Sequence, residues 1–270
     1  MVKWPEQARC LDALSRENNI EYSICTLVNK PTLYHAMVDS FIEAGFSSEF
    51  CEYLFIDNSG MASTDAYLGL NQFLASAQGK YIILCHQDIL LKYDNIEKLN
   101  ACIARLNSID PYWALLGNAG GVHPGRLAVH IHDRNTQSVD KSLVFPIRVH
   151  SLDENFILVR HDANLGASAD LTGFHLYGLD LCLQAVLKGH SAYVIEFYLM
   201  HTGEGLMTAD FKQCQEALIK KYCRAFSGRF LRTTCTILYI SGNSLCARLF
   251  NTRRVTRWVK HWYRKFSWAI

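Results

Sequence analysis

Three polar residues each follow a stretch with strand character, and their side chains together could hold a charged ligand. Asp88 closes the segment YIILCHQD, while Asp57 and His201 follow two further apolar runs, 52–56 and 192–197. Because the carboxyl ends of parallel strands meet at one edge of a sheet, these side chains are expected to share a crevice. Carboxylate oxygen and imidazole nitrogen suit Mn²⁺ or Mg²⁺ carried on a diphosphate, so Asp88 and His201 are predicted cation ligands and Asp57 a ribose or base contact. The alternative is that Asp88 starts a turn and that His201 is a hydrogen-bonded histidine at a strand end.

A fourth candidate, Asp180, lies at or near the start of a helix predicted over 176–188. An acidic side chain in the first turn of a helix is favoured by the helix dipole, which gives Asp180 a capping role. The alternative is that Asp180 lies in the crevice, where desolvation would adjust the pKa of its carboxyl and make it a general base. The residues alone leave both roles open.

The elements that must position these residues follow an alternating pattern of strands and helices. The spacing predicts, in chain order, a strand at 22–28, a helix that Thr32 caps and Gly45 ends, a strand at 52–56, a helix at 65–77 and a strand at 81–85. It then predicts a helix at 95–106, a strand at 113–116, an irregular glycine-rich loop at 117–125, short strands within 127–160 and a mostly helical segment after Thr208. Alternation with short connections is typical of an α/β protein with a parallel sheet.

Composition indicates a folded chain with an uneven charge distribution. Of 270 residues, 50% are hydrophobic and 19% charged, and no apolar run is long enough for a transmembrane helix or a signal peptide. The 10 cysteines form no CxxC pair, which favours reduced, buried thiols in a cytosolic protein. Residues 1–211 hold 14 Lys and Arg against 24 Asp and Glu, whereas residues 212–270 hold 13 against one. The C-terminal part is therefore expected to face an anionic partner.

Several segments, taken in order, resemble one enzyme family. They are YSICTLVN (22–29), FIDNS (55–59), HQD (86–88), SLDENFILVR (151–160), YGLDLC (177–182) and His201. This succession resembles the family 2 glycosyltransferases of the GT-A fold, and more narrowly the bacterial enzymes that build surface polysaccharides. The resemblance covers residues 20–203 and implies an α/β, Rossmann-like, mostly parallel sheet flanked by helices. It also implies inverting transfer of a sugar from a nucleotide-sugar donor to a hydroxyl of a lipid-linked glycan.

The resemblance further implies roles for individual residues. Thr26, Leu27, Asn29 and Asp57 would hold the nucleoside, and His86-Gln87-Asp88 would stand for the DXD motif, with Asp88 at the cation. Asp153 and Glu154 would line the acceptor side, Asp180 would deprotonate the acceptor hydroxyl, and His201 would complete the coordination of Mn²⁺ or Mg²⁺. The chain departs from the family at His86, which replaces the first acid of the motif and is expected to weaken cation binding.

The segment 251–270 has the composition of an interfacial membrane helix. Its apolar residues Val255, Trp258, Val259, Trp262 and Phe266 follow helical spacing, and basic residues occupy much of the remaining surface. We therefore expect a catalytic domain at 1–210 and a helical, basic extension at 211–270 that holds the protein at the inner face of the cytoplasmic membrane. The alternative is a helix packed on the catalytic domain. Nucleic acid is not an expected partner, because no motif for binding it accompanies the charge.

Two other functions fit part of the same pattern. A nucleotidyltransferase could use a similar sheet and metal, but it would want a glycine- and basic-rich phosphate loop near the first strand, and Lys30 alone is weak support. A non-catalytic sugar- or membrane-binding module derived from the same fold would release no nucleoside diphosphate.

Overall fold

The computed structural model describes residues 20–61, 63–133, 143–203, 210–232 and 236–266. They cluster into two compact units, the first ending at Phe211 and the second beginning at Lys212. The division into a catalytic domain and an extension stays a prediction. Residues 134–142, within the stretch expected to hold short strands, and 267–270 of the basic tail lie outside the described residues.

The first unit alternates strands and helices. Its strands are β1 (Tyr22–Val28), β2 (Cys51–Asp57), β3 (Tyr81–Cys85), β4 (Ile89–Leu90), β5 (Trp113–Gly117), β6 (Ala119–His123), β7 (Arg126–Val129), β8 (Ile131–Asp133), β9 (Ile147–Val149), β10 (Ser151–Leu152), β11 (Phe156–Arg160), β12 (Ser191–Val194) and β13 (Leu199–His201). Its helices are α1 (Pro31–Glu43), α2 (Ala66–Ser76), α3 (Ile96–Ile109) and α4 (Tyr177–Leu187), with a 3-10 turn at His161–Ala163.

A 7-stranded sheet in the order β2-β1-β3-β11-β5-β12-β9 forms the centre of this unit. Strand β1 is parallel to β2 and β3, and β5 is parallel to β12. Strand β11 runs antiparallel to both β3 and β5, so β3 and β5 point the same way, and β9 is antiparallel to β12. The sheet is thus mostly parallel, as predicted, and the carboxyl ends of β1, β2, β3, β5 and β12 share one edge.

The central strands are buried because helices cover the sheet. Every residue of β3 and β5 is buried, which fits their unbroken apolar sequences YIILC and WALLG. Large side chains that are fully enclosed, among them Tyr22, Phe41, Trp113 and Phe156, fill the space between sheet and helices. This packing gives the strand ends fixed positions, which a binding site at the sheet edge requires.

The starts of the helices follow their local sequence. Asp65 Oδ1 accepts a hydrogen bond from Leu68 N–H (3.3 Å), and Asn95 Oδ1 accepts one from Lys98 N–H (3.0 Å), so both residues cap their helices. Helix α1 begins at Pro31 rather than being capped by Thr32, because the fixed φ of proline suits the first helical position.

Two predictions for the middle of the chain are wrong. The glycine-rich segment expected to be irregular forms β6, which pairs with β7 and β10 in a 3-stranded sheet. The single strand predicted over 192–197 divides, because a tight turn in which Phe197 N–H donates to the Ile195 carbonyl (2.9 Å) separates β12 from β13. Strand β13 joins β4 and β8 in another 3-stranded sheet.

The second unit is helical at both ends with a hairpin between. It contains α5 (Phe211–Phe226, which starts at the boundary), β14 (Arg229–Arg232), β15 (Ile237–Ile240), α6 (Ser244–Phe250) and α7 (Arg253–Phe266). The antiparallel pair β14–β15 departs from the mostly helical prediction. None of the helices in the described part of the chain combines the length and apolar character that crossing a bilayer would need.

Candidate active site and metal centre

A cavity of about 230 Å³ lies at the carboxyl ends of β1 and β3. Its lining comes from β1 and the loop after it, the residue after β2, helix α2, the end of β3 with the loop after it, and the start of α4. These residues are Cys25, Leu27, Asn29, Asn58, Ala66, Leu70, Phe73, Leu84, Cys85, His86, Gln87, Asp88, Phe174 and Tyr177. The cavity therefore has apolar walls and a few polar side chains, the usual character of a small-molecule site.

Five of the residues predicted to hold the donor line this cavity, namely Leu27, Asn29, His86, Gln87 and Asp88. Gln87, in the loop after β3, connects this loop to the loop after β1. Its Oε1 accepts hydrogen bonds from the N–H groups of Asn29 (3.1 Å) and Lys30 (2.8 Å). The loops after β1 and β3 are thereby held at a fixed separation.

Thr26 and Asp57 do not line the cavity. The Thr26 side chain is buried, with Oγ1 3.4 Å from Cys85 Sγ, so it packs inside the sheet. Asp57 is exposed, and the backbone N–H (2.8 Å) and hydroxyl (2.6 Å) of Ser59 both donate to its Oδ1. The hydroxyl and backbone hydrogen bonds from Ser59 hold the pKa of the Asp57 carboxyl below its usual value. Asn58, the residue after Asp57, was not among the predicted site residues but lines the cavity.

His86 and Asp88, which line the cavity, come together with His201. Asp88 Oδ1 lies 3.9 Å from His86 Nδ1 and 3.4 Å from His201 Nε2. One potential ligand atom from each side chain lies within 4.8 Å of the other two. The structure thus unites the two predicted cation ligands and adds His86 to them.

Strand β13 brings His201 to Asp88. Residue Ile89, directly after Asp88, pairs with His201 in the antiparallel β4–β13 ladder. Thr202 then donates both its N–H (2.8 Å) and its hydroxyl (2.9 Å) to the Asp88 carbonyl. These backbone contacts, rather than the edge of the large sheet, position the imidazole.

The residues around Asp88 fit a divalent cation. Asp88 Oδ1 is buried, and within the described residues it makes no hydrogen bond of good geometry. Its polar neighbours are the imidazole nitrogens of His201 (3.4 Å) and His86 (3.9 Å), which leaves the oxygen able to accept a further ligand. Gly203 lets the backbone pack directly against this carboxylate, since a Cβ at that position would overlap Asp88 Oδ2 and lie 3.2 Å from His201 Nε2.

The electrostatics keep the carboxylate charged and one imidazole neutral. Burial raises the pKa of Asp88, but His201 and His86 together outweigh that effect, and the pKa lies below its usual value. Burial lowers the pKa of His86 and neighbouring His201 lowers it further, against an opposing effect of Asp88. A charged carboxylate beside a neutral imidazole is the protonation state in which both can bind a metal.

Tyr177, at the start of α4, holds His86 from the other side. The Tyr177 hydroxyl donates to the Glu154 carbonyl oxygen (3.2 Å), and its oxygen lies 3.0 Å from His86 Nε2. Burial raises the pKa of Tyr177 well above its usual range, so the hydroxyl keeps its proton. This contact could not be predicted from sequence, because it joins residues 91 positions apart.

The predicted acceptor-side carboxylates differ in environment. Asp153 is exposed, and its Oδ1 accepts from Asn155 N–H (3.0 Å). Glu154 is half-buried against the first turn of α4, where Gly178 N–H donates to its Oε1 (3.3 Å). Burial raises the pKa of Glu154 to about 7, although the Gly178 hydrogen bond opposes the shift. The start of α4 can lie this close to β10 only because residue 178 is glycine, since a Cβ there would overlap the Leu152 carbonyl oxygen.

Asp180 does not lie in the cavity. Its side chain is 0% exposed, and Ser168 donates its N–H to Oδ2 (2.7 Å) and its hydroxyl to Oδ1 (2.6 Å). A carboxylate enclosed in this way joins the segment before α4 to the helix. These contacts favour a structural role for Asp180, and its role as the general base stays a prediction.

The mixed sheet and the cleft at its carboxyl edge place the chain in a known class of architecture. The structure of S. aureus TarS 1–349 in complex with UDP-GlcNAc matches with a TM-score of 0.52 and 13% identity over 76% of this chain and 67% of that one. The same protein in complex with UDP matches with a TM-score of 0.50 and 14% identity, over 76% and 66% of the two chains. The chain thus spans about two thirds of that solved structure. It has the GT-A fold of glycosyltransferases, as predicted.

A protein of similar sequence shows which family the chain belongs to. The chain is 34% identical over 240 residues to the ATP synthase subunits region ORF 6 protein of Fuscovulum blasticum, covering 86% of this chain and 95% of the relative. It belongs to the same family as that protein. No protein-family model matches the chain.

Proposed function

We propose that the protein is an inverting, family 2 glycosyltransferase that moves a sugar from a nucleotide-sugar donor to a hydroxyl of a lipid-linked glycan in bacterial polysaccharide synthesis. One observation carries the proposal: on a GT-A sheet, His86 and Asp88 line an apolar-walled cavity and meet His201 in one cluster of possible cation ligands. A cation site beside a cleft for a flat, partly apolar group suits a nucleoside diphosphate.

Residues of the cavity divide the work of donor binding. The apolar side chains of Leu27, Leu70 and Phe73 offer surface for the base, and the Asn29 and Asn58 amides offer hydrogen bonds. Asp57 adds a carboxylate beside Asn58 for the ribose or base. Asp88 and His201 would hold Mn²⁺ or Mg²⁺. Such a cation, when bound, neutralises the charge that accumulates on the departing diphosphate.

Glu154 is our candidate for the general base. Its carboxylate accepts the proton of the acceptor hydroxyl while that oxygen bonds to the anomeric carbon, and the bond from this carbon to the diphosphate oxygen breaks with its electron pair on the diphosphate. A base with a pKa of about 7 is both deprotonated and effective near neutral pH. Exposed Asp153 is the second candidate, and Glu154→Gln compared with Asp153→Asn separates them: the true base shows the larger loss of kcat.

The proposal is tested by measuring nucleoside diphosphate release from a panel of nucleotide sugars, with Mn²⁺ and with a chelator. Asp88→Asn should lower turnover by about 10²–10³, the loss seen when a charge-stabilising group is removed. The matched control is Asp39→Asn, an exposed residue of α1, which should keep full turnover. Pyrophosphate release from a nucleoside triphosphate would instead indicate a nucleotidyltransferase. Donor binding without turnover would indicate a binding module.

We also propose that the second unit binds the anionic inner surface of the cytoplasmic membrane, where a lipid-linked acceptor would lie. On α7, Trp258 is 64% exposed and Trp262, one turn later, is 46% exposed. Three basic residues of the same helix, Arg254, Arg257 and Lys260, are also exposed. Helix α6 shows a second apolar pair one turn apart, exposed Leu245 and Leu249. Exposed aromatic and apolar rows beside basic residues favour an interfacial role.

Sedimentation with vesicles tests this surface. The protein should bind phosphatidylglycerol-containing vesicles and not pure phosphatidylcholine, with affinity falling as salt rises. Removing Arg254 and Arg257 together should weaken binding about 25-fold, at roughly 1 kcal/mol for each basic residue near the surface. Trp258→Ala with Trp262→Ala should also release the protein, whereas Leu127→Ala, an exposed apolar control in β7, should not. Equal binding to both vesicles would refute the proposal.

A further inference from the structure

The cation site contains two imidazoles and one carboxylate. His86 comes from the end of β3, Asp88 from the loop after it and His201 from β13, and their ligand atoms lie within 4.8 Å of one another. This set carries one formal negative charge, from Asp88, when both imidazoles are neutral. An acid in place of His86 would add a second charge and a second oxygen donor.

The hydrogen bonds around His86 fix which ring nitrogen is free. The Tyr177 hydroxyl has one proton, which it donates to the Glu154 carbonyl oxygen (3.2 Å). Its oxygen must therefore accept from His86 Nε2–H (3.0 Å). In the neutral ring Nδ1 then has no proton, and this is the atom that faces Asp88 Oδ1 at 3.9 Å.

The space around the carboxylate also points to a ligand. Asp88 Oδ1 is buried and, among the described residues, makes no hydrogen bond of good geometry, and both His86 and Asp88 line the cavity of about 230 Å³, which leaves free volume beside them. An oriented imidazole, an unsatisfied carboxylate oxygen and free volume occur at one point.

We propose that His86 Nδ1 is a direct cation ligand, that Tyr177 is its positioning residue, and that the site consequently selects a first-row transition-metal dication such as Mn²⁺ over Mg²⁺. Mg²⁺ prefers oxygen ligands and gives up its water reluctantly, whereas imidazole suits the transition metals. The ring is oriented by a hydrogen bond on its other nitrogen, as metal-ligating histidines are. The use of the cation in sugar transfer rests on the proposed function, but its binding does not.

The experiment measures metal binding alone, without donor or acceptor. Electron paramagnetic resonance follows free Mn²⁺ in a titration of the whole protein, and competition with Mg²⁺ gives the ratio of the two affinities. Co²⁺ adds a visible absorption spectrum that reports nitrogen ligation. The wild-type protein should bind Mn²⁺ at least about tenfold more tightly than Mg²⁺. Equal affinities, or no Mn²⁺ binding, would overturn the proposal.

Two substitutions test the individual atoms. His86→Asp should lower the preference for Mn²⁺ over Mg²⁺ about tenfold and change the Co²⁺ spectrum. Tyr177→Phe, which removes only the hydroxyl, should weaken Mn²⁺ binding about 10- to 100-fold, as loss of a ligand-orienting contact does. His35→Asp, at an exposed position on α1, is the matched control and should leave the Mn²⁺ preference unchanged. An unaltered preference in His86→Asp would show that His86 is not a ligand.

The outcomes separate this inference from the proposed function. Selective Mn²⁺ binding without sugar transfer would refute the glycosyltransferase and leave the metal site standing. Sugar transfer by a protein that binds Mn²⁺ and Mg²⁺ equally would refute the metal preference and leave the activity standing.

Discussion

Replacing Glu154 by Gln should stabilise the protein, and by more at high pH than at low pH. The Glu154 carboxyl has its pKa raised from 4.5 to about 7 by burial against α4. The native state therefore holds this proton more tightly than the unfolded chain does, and the residue lowers stability progressively as pH rises through this range. Glutamine carries no charge at any pH, so the substitution removes the pH-dependent part of the effect.

The size of the effect follows from the two pKa values. The destabilisation is nearly absent below the unfolded pKa and complete above the folded one, where it reaches about 3 kcal/mol at 1.36 kcal/mol per pKa unit. The same relation gives about 1 kcal/mol at about pH 5.5 and about 3 kcal/mol at about pH 8. The advantage of Glu154→Gln over the wild type should thus grow by about 2 kcal/mol between these conditions. Any constant change in packing or in the Gly178 hydrogen bond cancels in this comparison.

Urea unfolding of both proteins at the two pH values and one ionic strength measures the difference. Glu43→Gln, at an exposed position at the end of α1, is the isosteric control. Carbon-13 chemical shifts of the side-chain carboxyls give the Glu154 pKa directly. A difference between variant and wild type that does not change with pH would refute the reasoning, because it would mean that Glu154 titrates alike in the folded and unfolded chains.

Three further predictions concern residues of the site. Asp180→Ala should lower the free energy of unfolding by about 3 kcal/mol, because it leaves the buried Ser168 donors unpaired; unchanged stability by urea unfolding would contradict the structural role. Gly203→Ala should weaken Mn²⁺ binding about tenfold by displacing the Asp88 carboxylate, which the resonance titration detects, and an unchanged affinity would show that the close packing of Gly203 against Asp88 is unimportant. Gln87→Ala should raise KM for the nucleotide sugar more than it lowers kcat, because it frees the loop after β1; equal KM values would show that the loop holds its position unaided.

The first half of the fold could be predicted because its signals are local. Five alternating strands and helices follow from apolar runs, caps such as Asp65 and short connections, and the structure confirms them with shifts of a few residues. Strand β6 could not be predicted, since glycine-rich sequence lacks strand propensity and the pairing with β7 and β10 supplies the regularity. The hairpin β14–β15 could not be predicted either, and it lies in the segment after Thr208 that was expected to be mostly helical.

The residues of the candidate site also divide into those that local sequence predicts and those that it does not. Leu27 lies near the end of β1, and Asn29 and Asp88 follow β1 and β3, so their positions at the cavity could be predicted from their neighbours in sequence. The position of Asp180 outside the cavity could not be predicted. The rotation of α4 about its axis decides whether an acidic residue in its first turn faces the cleft or the interior, and packing against distant parts of the chain sets that rotation. The contact of Tyr177 with His86 is likewise made only when the whole sheet has formed.

The β4–β13 ladder has a consequence for biosynthesis. Thr202 and Asp88, which it brings together, are 114 residues apart in sequence. During translation the loops after β1 and β3 leave the ribosome long before β13 does, but the second imidazole of the proposed cation site arrives only with His201. A nascent chain that ends before β13 would therefore hold the cation with an incomplete set of ligands, and full metal affinity would appear late, when almost the whole first unit has been made.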